Sequence, residues 1–534
     1  MRKVLLIFFF IFYQISLQAS VWQWSVEIEG FISSETNNHP RAFLWIPENC
    51  KQVKGVVFGQ HNMCEETIFE HTYFRNTMAD LSFAIIWITP GFEQQWDVKN
   101  GCQGLFDTMM NNLADISGYS ELRTIPIVAL GHSAMATFPW NFAAWNPDRT
   151  LAIISYHGNA PRTNLTGFGR ENLEWGRTHN IDGIPGLMIE GEYEWWQARV
   201  NPALAFRMMY PKSCISFLCD VGHGHFDVSD EVVNYISLFL RKASHYRLPD
   251  NQVINNPVRL KTVDVTNGWL TECWHPGQSK CADPALYPQY KGDGHEAFWY
   301  FDKEMAESTE TYYRNTRNKK DQYIGFFSKG KPIEYKDTHA GFNLDFEPES
   351  DGLTFHLSAT FTDSLRKYIS DKHSLIGKIV ITRICGPVEV VNDTTFSIRF
   401  YRMGLHNAKR TNDIWLLAQN KGDIKYKSTV QQINIKIPYP QTKGKRQSIF
   451  FPSFEDIEGS TRRIALQAVS DRSLPVCYYI KEGPAIIKDN EIEITAIPPR
   501  AKFPVKVTVV AWQYGIEGVY RTAEPVEHSF YIRK

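Results

Sequence analysis

"IPIVALGHSAMATFPWNFAAW", residues 125–145, is the stretch that decides the fold. An apolar run reaches Gly131, Ser133 follows two residues on, and a helix-like segment begins at once. An apolar run with no polar alternation reads as a strand buried on both faces. A strand that turns sharply into a helix strains the backbone of the turn residue, so small neighbours two before and two after are favoured. Gly131 meets the first condition and Met135 departs from the second. Pro139 enters early enough in the helix to be tolerated. Taken alone, the pentapeptide leaves Ser133 as either a nucleophile or a small turn residue.

Further runs of the same kind lie on both sides. "RAFLWIP", "KGVVFGQ", "FAIIWITP", "LAIISYHG", "IPGLMIEG" and "CISFLCDVG" read as strands, and "ETIFEHTYFRNTMADL", "GLFDTMMNNLADIS" and "NPALAFRMMY" as helices between them. "SDEVVNYISLFLRKA" closes the series, with Ser229 as N-cap and Val232, Val233, Ile236, Phe239 and Leu240 on one face. Alternation of buried strands and helices means an α/β domain with a mostly parallel sheet. It is expected over residues 20–250.

After residue 250 the texture changes. Residues 251–330 read as a connecting segment with one helix, "HEAFWYFDKEMAESTETYYRN". "GFNLDFEPESDGLTFHLSATF" has the pattern of a hairpin around a Pro/Asp/Gly turn. "FPVKVTVVAWQYG" reads as a half-buried strand, with Val505, Val507, Val509 and Ala511 on one side. The C-terminal part is expected to be all-β, a sandwich over 331–462 and an immunoglobulin-like module over 463–534.

Lys+Arg total 57 against 58 Asp+Glu, so no basic excess argues for nucleic acid and no polybasic block for an anionic membrane. "MRKVLLIFFFIFYQISLQAS" has the form of a secretory signal peptide over residues 1–19, cleaved after Ala19. Its apolar run is short of the ~20 residues of a membrane span. The expectation is an exported protein, periplasmic or extracellular, without a membrane anchor. Nine cysteines then meet an oxidising compartment, and an odd count leaves at least one unpaired. Cys214 and Cys219 are too far apart along a strand to pair, whereas Cys273 with Cys281 is the easiest local pair.

A nucleophilic serine needs a base, a group to orient that base, and donors for the developing oxyanion. "CDVGHGHFDVSDEVV" places two histidines after the last strand, His225 as first choice and His223 as second. An H-x-H pair can also bind metal, but no ligand cluster of clear spacing accompanies it, and neither metal nor cofactor is expected. "IEGEYEWWQAR" offers Glu190, Glu192 and Glu194 around Gly191 at the end of the preceding strand, with Glu190 inside the strand and the least favoured. Serine, acid and histidine thus follow one another in the order used by α/β-hydrolases.

On these residues, 21–248 resemble an α/β-hydrolase carboxylesterase. With its C-terminal "SLPVCYYIKEGPAIIKDNEIEITAIPPRAKFPVKVTVVAWQYG", the whole chain resembles multidomain hydrolases exported by glycan-degrading Gram-negative bacteria. The resemblance implies ester hydrolysis on acylated polysaccharide or oligosaccharide. It places the acid three residues after Gly191, which selects Glu194 over Glu192. It also implies oxyanion donors at Ala134 and in the turn "QHNMCEE", where the Met63 N–H is expected, with Asn62 close behind. Trp195, Trp196, Trp140 and Trp96 are expected near the mouth, where exposed indole faces stack on sugar rings. A Cys64–Cys102 bridge there would stiffen the site. A serine peptidase, a lipid esterase and a catalytically inactive glycan-binding protein are the rival readings.

Overall fold

The computed structural model describes residues 21–163, 172–194, 196–251, 256–402 and 405–534. The expected signal peptide lies outside them. Eight strands form one sheet: β1 (Trp24–Glu27), β2 (Arg41–Trp45), β3 (Gly55–Gln60), β4 (Phe83–Thr89), β5 (Ile127–His132), β6 (Thr150–Tyr156), β7 (Pro185–Gly191) and β8 (Cys214–Asp220). Their spatial order is β1-β2-β4-β3-β5-β6-β7-β8. From β4 to β8 every neighbouring pair is parallel, while β2 runs antiparallel to both β1 and β4. Every residue of β3 to β8 is buried, as their uninterrupted apolar sequences require. The α/β class with a mostly parallel sheet is the fold of the N-terminal part.

Helices α1 (Glu65–Glu70), α2 (Thr72–Leu81), α3 (Cys102–Ser117), α4 (Phe138–Trp145), α5 (Trp196–Met209) and α6 (Asp230–Arg247) connect the strands. The single helix expected over 66–81 is two, because His71 turns extended (ψ 128°) and its ring accepts from Tyr73 N–H to start α2. Ser229 caps α6 through Val232 N–H at 3.0 Å, and Val232, Val233, Ile236, Phe239 and Leu240 of that helix are fully buried.

The helix expected from His295 onward begins later. Ala297–Tyr300 is a strand paired with Trp269–Glu272, buried on both faces, and Asp302 then caps α7 (Lys303–Arg314). The expected hairpin around residue 350 does not form. Asn343–Asp345 pairs with Thr429–Lys436, and Thr354–His356 with Thr395–Ile398. Phe342 and Phe355 instead enter one core from different sheets. The rest of the chain is all-β, as expected. Val505–Trp512 is buried on both sides rather than one. Val505, Val507, Val509 and Ala511 fill one core, and Val510 and Trp512 fill the core around Phe342.

All nine cysteines are free thiols, so neither expected bridge is present. Cys273 Sγ faces the Trp274 carbonyl at 3.5 Å and Cys281 Sγ the Ser279 carbonyl at 3.7 Å, away from each other. Cys102 Sγ likewise turns to the Asp97 carbonyl at 3.4 Å rather than to Cys64. Among the described residues no helix is long and apolar enough to cross a membrane.

Candidate active site

At the carboxyl end of β5 the chain enters a single turn of 3₁₀ helix, Ser133–Met135, and then α4. Ser133 sits at φ +54°, in the left-handed region that a non-glycine residue occupies only under constraint. The constraint is packing. A Cβ on Gly131 would lie 1.9 Å from the Met135 carbonyl oxygen, and one on Gly158 would lie 1.9 Å from Ala136 Cβ. Met135, out of place by pattern, is accommodated because its methyl group occupies the space where Gly91 lacks a side chain.

The ends of β7 and β8 bring the partners in. Gly191 and Gly224 approach so closely that a Cβ at 191 would meet the Gly224 carbonyl oxygen at 2.5 Å. Through that contact Glu194 reaches the His225 ring. Ser133 Oγ donates to His225 Nε2 at 2.7 Å, and His225 Nδ1–H donates to Glu194 Oε2 at 2.8 Å. Ser133 stays half-exposed, while Glu194 and His225 are buried. The Nδ1–H···carboxylate bond selects the tautomer whose Nε2 is free to accept. The alternatives go elsewhere. His223 Nδ1 is bonded to Asp227, with Asp220 at 3.7 Å. Glu192 accepts from Gly222 N–H at 3.0 Å and pairs with Lys427 at 3.0 Å.

Residues without a motif of their own surround this set. Arg199, 2% exposed, lies 3.0 Å from both Glu190 and Glu194. His132 Nε2 and His157 Nδ1 both donate to the His225 carbonyl, at 2.9 and 2.8 Å. Burial, reinforced by Arg199 and His339, holds the His225 imidazole well below its ordinary pKa. Burial raises the Glu194 carboxyl to about 7 against the pull of Arg199. For His223 burial acts downward, but Asp220 and Asp227 outweigh it and push the ring up to about 10, which makes this a buried ion pair.

Two groups bring three metal-type donors within 4.8 Å of one another, His132–His157–His225 and Asp220–His223–Asp227. His132, His223, His225, Asp227 and the His157 Nδ1 are already bonded to neighbouring protein groups, whereas His157 Nε2 and Asp220 Oδ2 have no hydrogen-bond partner among the described residues.

The oxyanion expectation is half corrected. Ala134 N–H has no acceptor among the described residues. Met63 and Asn62 do not offer free N–H groups, because both donate to Glu65 Oε2, at 3.0 and 2.9 Å. Glu65 is fully buried and its other oxygen accepts from His132 N–H at 2.8 Å. The Asn62 side chain is also engaged, donating to the His132 carbonyl at 3.1 Å. Glu65 was visible only as one of two glutamates after the turn, and nothing in the sequence marks it as the staple between turn and serine.

The tryptophan expectation is corrected at two positions. Trp96 is fully buried among Phe58, Phe92, Phe106, Phe138 and Phe142. Trp140 is fully buried, with its indole N–H on the Asn159 carbonyl at 3.0 Å. Both are core, and neither presents a face to a ligand. Trp195 and the Trp196 side chain lie outside the described residues. The aromatic groups beside His225 come partly from the all-β region. Phe226 lies 4.6 Å from His225 by ring centroids, and Phe226 in turn meets His339 at 4.7 Å and Trp415 at 5.1 Å.

No protein-family model and no curated protein matches the chain. Solved structures do. An S-formylglutathione hydrolase from Agrobacterium tumefaciens is 12% identical, covering 43% of this chain and 97% of its own, at a TM-score of 0.30. A poly(3-hydroxybutyrate) depolymerase from Bordetella parapertussis is 12% identical over 43% of this chain and 92% of its own, at 0.29. An α/β hydrolase from a Medee basin deep-sea metagenome library is 10% identical over 42% of this chain and 96% of its own, at 0.31.

Proposed function

We propose that the protein is a serine carboxylic-ester hydrolase working through Ser133, His225 and Glu194. One observation carries this reading: the continuous hydrogen-bonded relay from Ser133 Oγ through both ring nitrogens of His225 to Glu194. His225 Nε2 takes the serine proton as Ser133 Oγ attacks the ester carbonyl, and Glu194 holds the ring and stabilises the imidazolium. The Ala134 N–H, with no acceptor among the described residues, is directed to the oxyanion. The alcohol departs with the proton from His225, and water hydrolyses the acyl-enzyme through the same base.

The finer reading is an exported enzyme acting on acylated polysaccharide or oligosaccharide. It is supported by the leader-like N-terminus and by the resemblance of the whole chain to exported glycan-degrading hydrolases. Exposed His339 and half-buried Trp415, both packed on the buried Phe226, rather than Trp96 or Trp140, supply the aromatic surface near the base.

The test is intact-mass labelling of the mature protein by a fluorophosphonate beside Ser133→Ala, with p-nitrophenyl acetate hydrolysis in parallel. One adduct, lost with the mutation together with the esterase rate, is expected. A well-folded wild type that takes no label and hydrolyses no faster than the mutant sinks the assignment.

A further inference from the structure

The turn His61–Met63 is gripped from both sides. On its N–H side Glu65 binds Asn62 and Met63 and also the His132 N–H, one residue before Ser133. On its carbonyl side the grip comes from a residue far along the chain. Arg410 Nη1 donates to the Asn62 carbonyl, and Nη2 lies 3.5 Å from that of His61. Arg410 is itself held, since its Nε donates to Glu35 Oε2 at 3.0 Å and its N–H to Asn407 Oδ1 at 3.1 Å. Glu35 also accepts from Asn407 Nδ2 at 3.1 Å, and its carbonyl from Ala408 N–H at 2.8 Å. Nearby Lys409 adds a cation 3.2 Å from the Glu35 carboxylate. Loop 407–411 of the all-β region is thereby latched onto the N-terminal domain at the His61–Met63 turn.

We propose that Arg410 is a positioning residue for ester hydrolysis: the all-β region, through this guanidinium, sets the backbone of the turn that is bonded to His132, the residue before Ser133. The proposal rests on the reading of Ser133 as nucleophile. Two physical effects act together. A forked, planar guanidinium on adjacent carbonyls fixes both peptide planes, which a single point charge does not do. The Asn62 carbonyl and the Met63 N–H belong to one peptide unit, so a cation on the oxygen polarises the amide and strengthens that N–H as a donor to Glu65, whose other oxygen holds the His132 N–H. The Asn62 side chain, bonded to the His132 carbonyl, carries the same constraint to the residue preceding Ser133. The all-β region is thus part of the active site's support.

The test compares wild type, Arg410→Ala, Arg410→Lys and Glu35→Gln in the full-length protein. Readouts are kcat and KM on p-nitrophenyl acetate, the fluorophosphonate labelling rate, and the thermal midpoint. Arg410→Ala is expected to lower kcat by about 10- to 100-fold with KM within about twofold, the signature of support felt in the transition state. Arg410→Lys recovers only part of kcat, and Glu35→Gln falls in the same direction by less. A folded Arg410→Ala with wild-type kcat overturns the proposal. Should the alanine variant fail to fold, Arg410→Lys decides, and wild-type kcat there overturns it equally. If the wild type itself neither labels nor hydrolyses, the nucleophile assignment has failed rather than the role of Arg410.

Discussion

His225 carries the pH dependence of the proposed reaction, because only its neutral form can accept the serine proton. Burial, Arg199 and His339 all disfavour the imidazolium. Lowering its pKa keeps the base neutral at lower pH, so the acid limb of kcat/KM is expected to have its midpoint below 6.5. Glu194, raised to about 7 by burial, competes for the same proton. Its carboxylate, however, accepts from Arg199 at 3.0 Å, from His225 at 2.8 Å and from Gly191 at 3.4 Å, bonds that favour the ionised form. A pH profile of p-nitrophenyl acetate hydrolysis decides: a limb near 7 would mean that Glu194 takes the proton first. At this scale the sequence was informative where function follows strand ends. Ser133, Glu194 and His225 stand directly after β5, β7 and β8. Glu65 and Arg199 escaped, since a charged residue after a turn or in a helix looks solvated until burial is known. Trp96 and Trp140 misled for the opposite reason, because a large aromatic at a strand end packs into the core as readily as it opens to a ligand.

Among the elements, the strand–turn–helix from β5 to α4 has no slack. Gly131 lets the Met135 carbonyl come down on its Cα, and a Cβ there would overlap that oxygen at 1.9 Å. The obstacle is backbone, which cannot rotate away, so Gly131→Ala must push the turn outward. The serine would move off His225 Nε2, a bond now 2.7 Å long. The expected outcome is a fall in kcat of about 100-fold or more, from a displacement near 1 Å, with a stability loss of roughly 1–3 kcal/mol. Esterase assays and denaturant unfolding of the variant check both, and near-wild-type turnover would show that the turn can relax. The central strands were legible because burial on both faces leaves an apolar run in the sequence. The hairpin around residue 350 was not, since its two halves find partners at Thr429–Lys436 and Thr395–Ile398. Alternation reveals which face is buried but not which strand lies alongside. Ala297–Tyr300 shows a related ambiguity, where a short apolar run before a helix can be read into it.

The whole molecule is joined by a buried, charged and apolar seam. Ile384, Cys385 and Leu417 of the all-β region belong to the same core as β3, β5 and α1. Across it Glu66, buried in α1, is 3.1 Å from Arg383 and 3.4 Å from Arg402, which also reaches Glu70 at 2.7 Å. These partners are more than 300 residues apart in sequence, a separation at which no local pattern announces a contact. Arg402→Met would remove the cation shared by Glu66 and Glu70, leaving Glu66 paired with Arg383 deep in the seam. Breaking a buried pair in this way costs about 3–5 kcal/mol. Because residues of the all-β region are part of the N-terminal core, that loss should not detach the all-β region from an intact N-terminal domain. Esterase activity and the near-ultraviolet circular dichroism signal are expected to be lost together on heating, in wild type and variant alike, with the variant transition at lower temperature. Activity persisting through a first optical transition would instead show that the N-terminal domain stands alone. The grip of Arg410 on the His61–Met63 turn would then be dispensable as well.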